Sequence, residues 1–401
     1  MDKYERVLAA FNHEEPDRVP TFEGTIHVPE LFPRRKPPRT HPGILFFDFG
    51  TSALLARTWP LARLLMKALR RPEALLPFVK PAVMAYTRVH RSLDLDLVQF
   101  AGGLPVVFKP EIFEGVRVTR RPRALWTPWG DPIVEEPSGS DAASVHGFLR
   151  DPADYDRLVE YDPDHPLNYV LVRRALEAAR GKIALIFYVH GGSFFEALAG
   201  LFGLQRLFKL LVRDPGFVDA AVRDMSEYAV AAATRMGDLG VRLFYVSDDM
   251  GQAGRPMISP RTYRRHFLRP FKRFCRAVHR FGGKVMMHSC GNVTELVPML
   301  VEAGLDALHP WEPTAGMDVF EGKKRWGDRL AIVGNVPLEL LSRGTPAQVD
   351  AHVRELVAAC APGGGYVISS QHSLLPSVRL ENYLAMLRAA RRYGRYPLNL
   401  P

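Results

Sequence analysis

The residues best suited to chemistry in this sequence stand at the ends of apolar runs. In Met286-Met287-His288-Ser289-Cys290-Gly291-Asn292 an imidazole and a thiol lie two residues apart. On an extended strand alternate residues share a face, so both side chains can turn toward one ion. A second imidazole, His372, ends the run Ser369-Ser370-Gln371-His372. If the two strand ends converge, His288, Cys290 and His372 form a His/Cys/His set with an open fourth position, which suits a catalytic zinc. The competing reading of the His-x-Cys pair alone is a buried thiol beside a capping histidine.

Carboxylates close other runs. Asp248 and Asp249 follow Tyr245-Val246-Ser247, and two adjacent acids after an apolar stretch are costly unless hydrogen-bonded or used. Both are expected to be catalytic, orienting substrate or accepting a proton; the alternative for Asp248 is that it caps a loop. Glu23, His190, His309, Glu312 and Asn335 end further runs and are expected to contact substrate, any of the acids or histidines being a fourth ligand otherwise. Cys275 and Cys360 fall within helical patterns and read as core or surface thiols. Asp350-Ala351-His352 approaches the D-x-H-x-x-G pattern of cobalamin-binding modules, but Glu355 replaces the glycine and the segment reads as helix. Gly363-Gly364-Gly365 reads as a turn before a strand, because no helix start follows it to cradle a phosphate.

These residues need elements that bring distant strand ends together. From residue 180 onward, short apolar runs ending in polar or glycine residues alternate with longer amphipathic segments, the pattern of βα units around a parallel sheet. Strands are predicted over 184–190, 242–249, 284–290, 307–311, 330–335 and 366–372, with two more upstream at 18–23 and 93–100. Eight such units close a barrel. The predicted fold is therefore α/β, a (β/α)8 TIM-type barrel forming one domain over 1–401, with inserted segments at about 28–90 and 105–137. The first insertion, rich in Pro and Arg at 29–42 and amphipathic at 58–86, is expected to be a helical and irregular lid or a subunit contact. The second alternates like a β-hairpin, with turns near Glu114-Gly115 and Trp129-Gly130.

Bulk composition limits the setting. A chain of 401 residues with 47% hydrophobic content can bury a large core. Its net charge of +10 is spread along the chain and is a poor signature of nucleic-acid binding. Three cysteines are too few for a disulfide framework and point to a reducing compartment. The charged, amphipathic N-terminus lacks the apolar core of a secretory signal. The longest apolar stretch, 183–204, is broken by His190, Gly191, Gly192 and Glu196. A cytoplasmic protein without a transmembrane segment is expected.

Four stretches carry a family likeness. The chain resembles the uroporphyrinogen decarboxylase superfamily, and within it the corrinoid-dependent methyltransferase branch, in ERVLAAFNHEEPDRVP, in SDDMGQAGRPMISPRTYRRHFLRPFKR, in the block from HSCGNVTELVP to LAIVGNV, and in GGGYVISSQHSLLPSVRLENYLAML. In that branch zinc is held by H-x-C and a distant cysteine at the end of the last strand. The resemblance assigns the first two ligands to His288 and Cys290, while His372 stands where the cysteine is expected. The family's decarboxylases carry an R-Q-A-G-R-Y-type segment for substrate carboxylates; it is missing here, and Arg34, Arg35 and Arg39 do not match it.

The resemblance implies a zinc-dependent methyltransferase that moves a methyl group between a small-molecule donor or acceptor and a corrinoid. Because the sequence has no corrinoid-binding motif, the corrinoid is expected on a partner protein, docking against the basic, apolar segment 57–88. A homodimer is the expected self-association, and no nucleic acid is expected. Two rival readings stay open: a metal-independent decarboxylase or lyase on the same barrel, and a catalytically inactive scaffold or regulatory subunit of a methyltransferase complex.

Overall fold

The computed structural model describes residues 1–24, 26, 28–31, 87–101, 107–108, 117–120, 123–126, 132–134, 147, 149–164, 166–189 and 192–398. His190, most of the 29–42 loop, the 58–86 stretch and nearly all of the proposed docking segment lie outside these residues.

Eight of the described strands form one sheet in chain order: β1 (Phe22–Glu23), β2 (Leu97–Ala101), β3 (Ala184–Tyr188), β4 (Leu243–Ser247), β5 (Lys284–His288), β6 (Ala307–His309), β7 (Ala331–Val333) and β8 (Tyr366–Val367). Every neighbouring pair is parallel. The sheet closes on itself. Thr21 and Ile368 form a parallel bridge, Phe22 N donates to Ile368 O at 3.0 Å, and Ile368 N donates to Pro20 O at 2.9 Å. With helices following the strands, this is a (β/α)8 barrel.

All eight predicted strands are present, but each is shorter than its apolar run. The regular ladder stops where side chains turn into the mouth, although single bonds continue it: Asp248 N donates to His288 O at 2.8 Å and Ser289 N to His309 O at 3.0 Å.

The barrel interior is filled by one alternate set of strand residues. Phe22, Leu97, Ala184, Ile186, Leu243, Tyr245, Met286, Ala307, Ala331, Val333 and Val367 pack there with Val7, Ala10 and Phe11. The last three come from helix α1 (Lys3–Phe11), whose start is fixed by a capping box between Asp2 and Glu5. Lys3 Nζ donates to Leu95 O at 2.9 Å and Gly365 N to Ala10 O at 3.1 Å, so α1 lies across the amino ends of β2 and β8 and plugs the base. The opposite strand residues face the outer helices in a second, larger cluster. Full burial of each large aliphatic or aromatic side chain in these layers contributes about 1.5–3 kcal/mol.

Helix starts follow local rules. Asp214, Ser259 and Thr345 accept from backbone N–H groups at the starts of Pro215–Asp238, Pro260–His266 and Pro346–Cys360, each with proline in its first turn. The last of these contains Asp350 and His352, as the helical reading requires. Outside the barrel, Arg117–Arg120, Arg123–Trp126 and Pro132–Val134 form an antiparallel sheet. One reversal falls between Arg120 and Arg123, which pair with each other, and another between Trp126 and Pro132; Glu114-Gly115 and Trp129-Gly130 lie outside the described residues. No helix among the described residues is long and apolar enough to cross a membrane.

Candidate metal centre

Strand periodicity builds the centre. Met286 faces the barrel interior, so His288 and Cys290, two and four residues on, continue upward on the same side. In register, His288 lies beside Ser247 of β4 and His309 of β6. His288 Nε2 is 3.1 Å from Cys290 Sγ. His372 arrives from the loop after β8, its ring centroid 6.1 Å from that of His288. One ligand atom each from His288, Cys290 and His372 falls within 4.8 Å of the other two, the grouping expected from the sequence. Glycine makes the loop geometry possible: Gly291 has φ +76°, and a Cβ there would lie 2.2 Å from Gly251 C. The segments after β4 and β5 thus cross in backbone contact.

His309 does not stand free to meet a substrate. It is buried, stacks edge-on against Phe22 with centroids 5.4 Å apart, and places Nδ1 2.7 Å from His288 Nδ1. Burial pushes its basicity well below the usual imidazole range, opposed by a hydrogen bond to the Ser370 main chain. A neutral imidazole has one N–H. Of the two facing Nδ1 atoms one donates and the other accepts; a proton on His288 Nδ1 leaves the Nε2 lone pair toward Cys290. This is the tautomer a metal ligand needs.

The acids divide by role. Asp249 Oδ1 accepts from Cys290 N at 2.7 Å and lies 3.5 Å from His288 Nε2, at the centre. Asp248 is buried and accepts from Phe194 N at 3.3 Å and Glu196 N at 2.8 Å, capping helix α2 (Phe195–Phe202), the loop-capping alternative offered by the sequence. Burial pushes its carboxyl up to about 7, against the lowering effect of those backbone bonds. Glu312 uses both oxygens within the protein, accepting from Gly291 N at 2.8 Å and Thr314 Oγ1 at 3.0 Å. Gln371 Nε2 in turn donates to Thr314 Oγ1 at 3.2 Å, tying the Cys290 loop to the His372 loop.

Two further expected substrate contacts are also buried. Glu23 is wholly enclosed and bonded to Ser370 N and Oγ. Asn335 donates from Nδ2 to Trp311 O at 2.9 Å, while its Oδ1 has no partner among the described residues.

Two residues of the centre escaped the sequence reading. Glu196, from α2, accepts from Ser247 Oγ at 2.9 Å and from Asp249 N at 3.2 Å. Burial, then the charges of Asp249 and Asp248, push its carboxyl up to about 8. An acid interrupting the apolar stretch 183–204 was the available signal. Ser370 gave none, being an ordinary serine whose partners are more than 300 residues away for Glu23.

The residues fit a metal ion. The donors are nitrogen, sulfur and nitrogen, they already lie close together, and His372 Nδ1 has no hydrogen-bond partner among the described residues. His288 is kept un-ionised by burial, the form that can ligate, while the Cys290 thiol is pushed far above its usual range by burial and by the charges of Asp249 and Glu312. A cation would reverse the balance at that thiol.

Comparison with known proteins agrees with this architecture. Residues 134–393 match the family model described as uroporphyrinogen decarboxylase (URO-D). The methylcobamide:CoM methyltransferase MtaA of Methanosarcina barkeri is 27% identical over 195 residues, 48% of this chain and 54% of that protein. The chain thus spans about half the length of that relative. The uroporphyrinogen decarboxylase of Magnetococcus marinus is 25% identical over 295 residues, covering 65% of this chain and 76% of the relative. Among solved structures, a methyltransferase from Methanosarcina mazei superposes with a TM-score of 0.61 at 18% identity, over 98% of this chain and 99% of the other, and so shares the fold.

Proposed function

Since this chain belongs to the uroporphyrinogen decarboxylase family, we propose that it is a zinc-dependent methyltransferase moving a methyl group between a small substrate and a corrinoid carried by a partner protein. The observation that carries the reading is the convergence of His288, Cys290 and His372 within 4.8 Å at the barrel mouth. The likeness to a methylcobamide:CoM methyltransferase supports the choice of reaction.

His288 Nε2, Cys290 Sγ and His372 would hold the ion, leaving a fourth position for substrate. When bound, zinc supplies Lewis acidity that favours a deprotonated heteroatom or polarises a leaving group. The chain's own groups do the rest. His309 fixes the His288 tautomer, and Asp249 holds the Cys290 backbone in place. Glu196 keeps a proton near neutral pH beside Asp249, and this pair gives or takes the proton that accompanies substrate binding.

Metal analysis combined with a cobalamin absorbance assay tests the proposal. One zinc per chain, lost in His288→Ala and Cys290→Ala together with methyl transfer to or from cobalamin, is the expected result. Zinc-free protein that is fully active as a decarboxylase overturns it, and zinc-loaded protein inert toward methylated cobalamin removes the methyl-transfer half.

A further inference from the structure

Ser370 stands two residues before His372 and has more contacts than an ionised Glu23 allows. Its N–H donates to Glu23 Oε1 at 3.1 Å, and its Oγ lies 2.7 Å from Glu23 Oε2 and also against the carbonyl oxygen of His372. A serine hydroxyl has one hydrogen. Were Glu23 a carboxylate, Oγ would face two acceptors with that single hydrogen, leaving one oxygen pair repelling.

A carboxylic acid removes the conflict. Glu23 O–H donates to Ser370 Oγ, Ser370 O–H donates to the His372 carbonyl, and the other Glu23 oxygen accepts the Ser370 N–H. The surroundings agree: Glu23 has no solvent exposure, and no cation is paired with it among the described residues. Burial pushes its carboxyl up to about 8, consistent with a retained proton.

We propose that Glu23, as a neutral hydrogen-bond donor to Ser370, is a positioning residue for the metal centre, setting the His372 loop through the His372 carbonyl. Glu23 joins the end of β1 to the chain after β8, so one buried contact both closes the barrel's upper seam and aims the His372 imidazole. The inference rests on the metal reading of His288, Cys290 and His372.

Metal-stripped full-length protein, Glu23→Gln, Glu23→Ala and Ser370→Ala are titrated with Co2+ against a chromophoric chelator. Glutamine reproduces the neutral acid, with an N–H for Ser370 Oγ and a carbonyl for Ser370 N–H. It should bind Co2+ like the wild type, with the same d–d spectrum, whereas Glu23→Ala and Ser370→Ala should bind roughly 10–100-fold more weakly. Wild-type affinity in Ser370→Ala, or Glu23→Gln as weak as Glu23→Ala, overturns the positioning role. Should Glu23→Ala fail to fold, Ser370→Ala, which deletes one oxygen, decides alone. A difference infrared spectrum of metal-free wild type against Glu23→Gln gives a reading independent of metal: the C=O band of an un-ionised carboxyl supports the assignment, and its absence at neutral pH overturns it. Wild-type protein that binds no Co2+ sinks the metal reading and the positioning role together, whereas failure confined to the variants sinks only the latter.

Discussion

His288 and His309 meet nitrogen to nitrogen, Nδ1 to Nδ1 at 2.7 Å, so one ring donates to the other, and a proton held on His288 Nδ1 leaves its Nε2 for a metal. An imidazole therefore does for a metal ligand what a carboxylate or carbonyl does in most centres. His309→Ala should leave the barrel folded and weaken zinc binding by roughly 10–100-fold, read by chelator competition. Undiminished affinity would show that the tautomer is set some other way.

In metal-free protein, burial and the charges of Asp249 and Glu312 hold the Cys290 thiol protonated. Metal binding must expel that proton. Above pH 7.5, where ordinary imidazoles have no proton left to lose, zinc affinity should rise about tenfold per pH unit, since ligation gains as the solution takes up the released proton more readily. A flat profile there would mean that Cys290 is not a ligand. In Asp249→Asn the alkylation midpoint of Cys290 in metal-free protein should move to lower pH.

His372 stands where relatives of the methyltransferase branch are expected to carry cysteine, which gives a gain-of-signal test. His372→Cys adds a second thiolate to the donor set, so the Co2+-loaded variant should show markedly stronger near-ultraviolet charge-transfer absorption than the wild type. Identical spectra would place residue 372 outside the coordination sphere.

Asp248 is predicted to matter for stability before chemistry. Asp248→Ala leaves the Phe194 and Glu196 N–H groups without their buried acceptor and should cost about 1–3 kcal/mol in denaturant unfolding, with Asp248→Asn costing less because one carbonyl acceptor remains. Unchanged stability in Asp248→Ala would contradict the capping role.

Much of this was legible in the sequence. Apolar runs of strand length located all eight barrel strands, and the two-residue spacing of His288 and Cys290 announced a shared face. What stayed hidden depends on partners that no local pattern encodes. Whether Asp248 or Asp249 reaches the centre is decided by the pleat: residue 249 shares the face of Tyr245 and residue 248 does not. Glu23 does end β1 as expected, while Asn335 lies two residues past the end of β7; Glu23 follows an inward Phe22 and so points into the packed wall. Glu196 and Ser370 meet their partners across 51 and 347 residues, distances over which sequence spacing carries no information.

The plug formed by Val7, Ala10 and Phe11 makes the barrel a cup and not a pipe. In the proposed reaction a small methylated compound and a bulky cobalt carrier would then use the same rim, and neither could leave by the back while the other waits. Turnover under such traffic is expected to show mutual inhibition at high concentration of either participant, a kinetic signature imposed by one short helix on the far side of the molecule from the reaction.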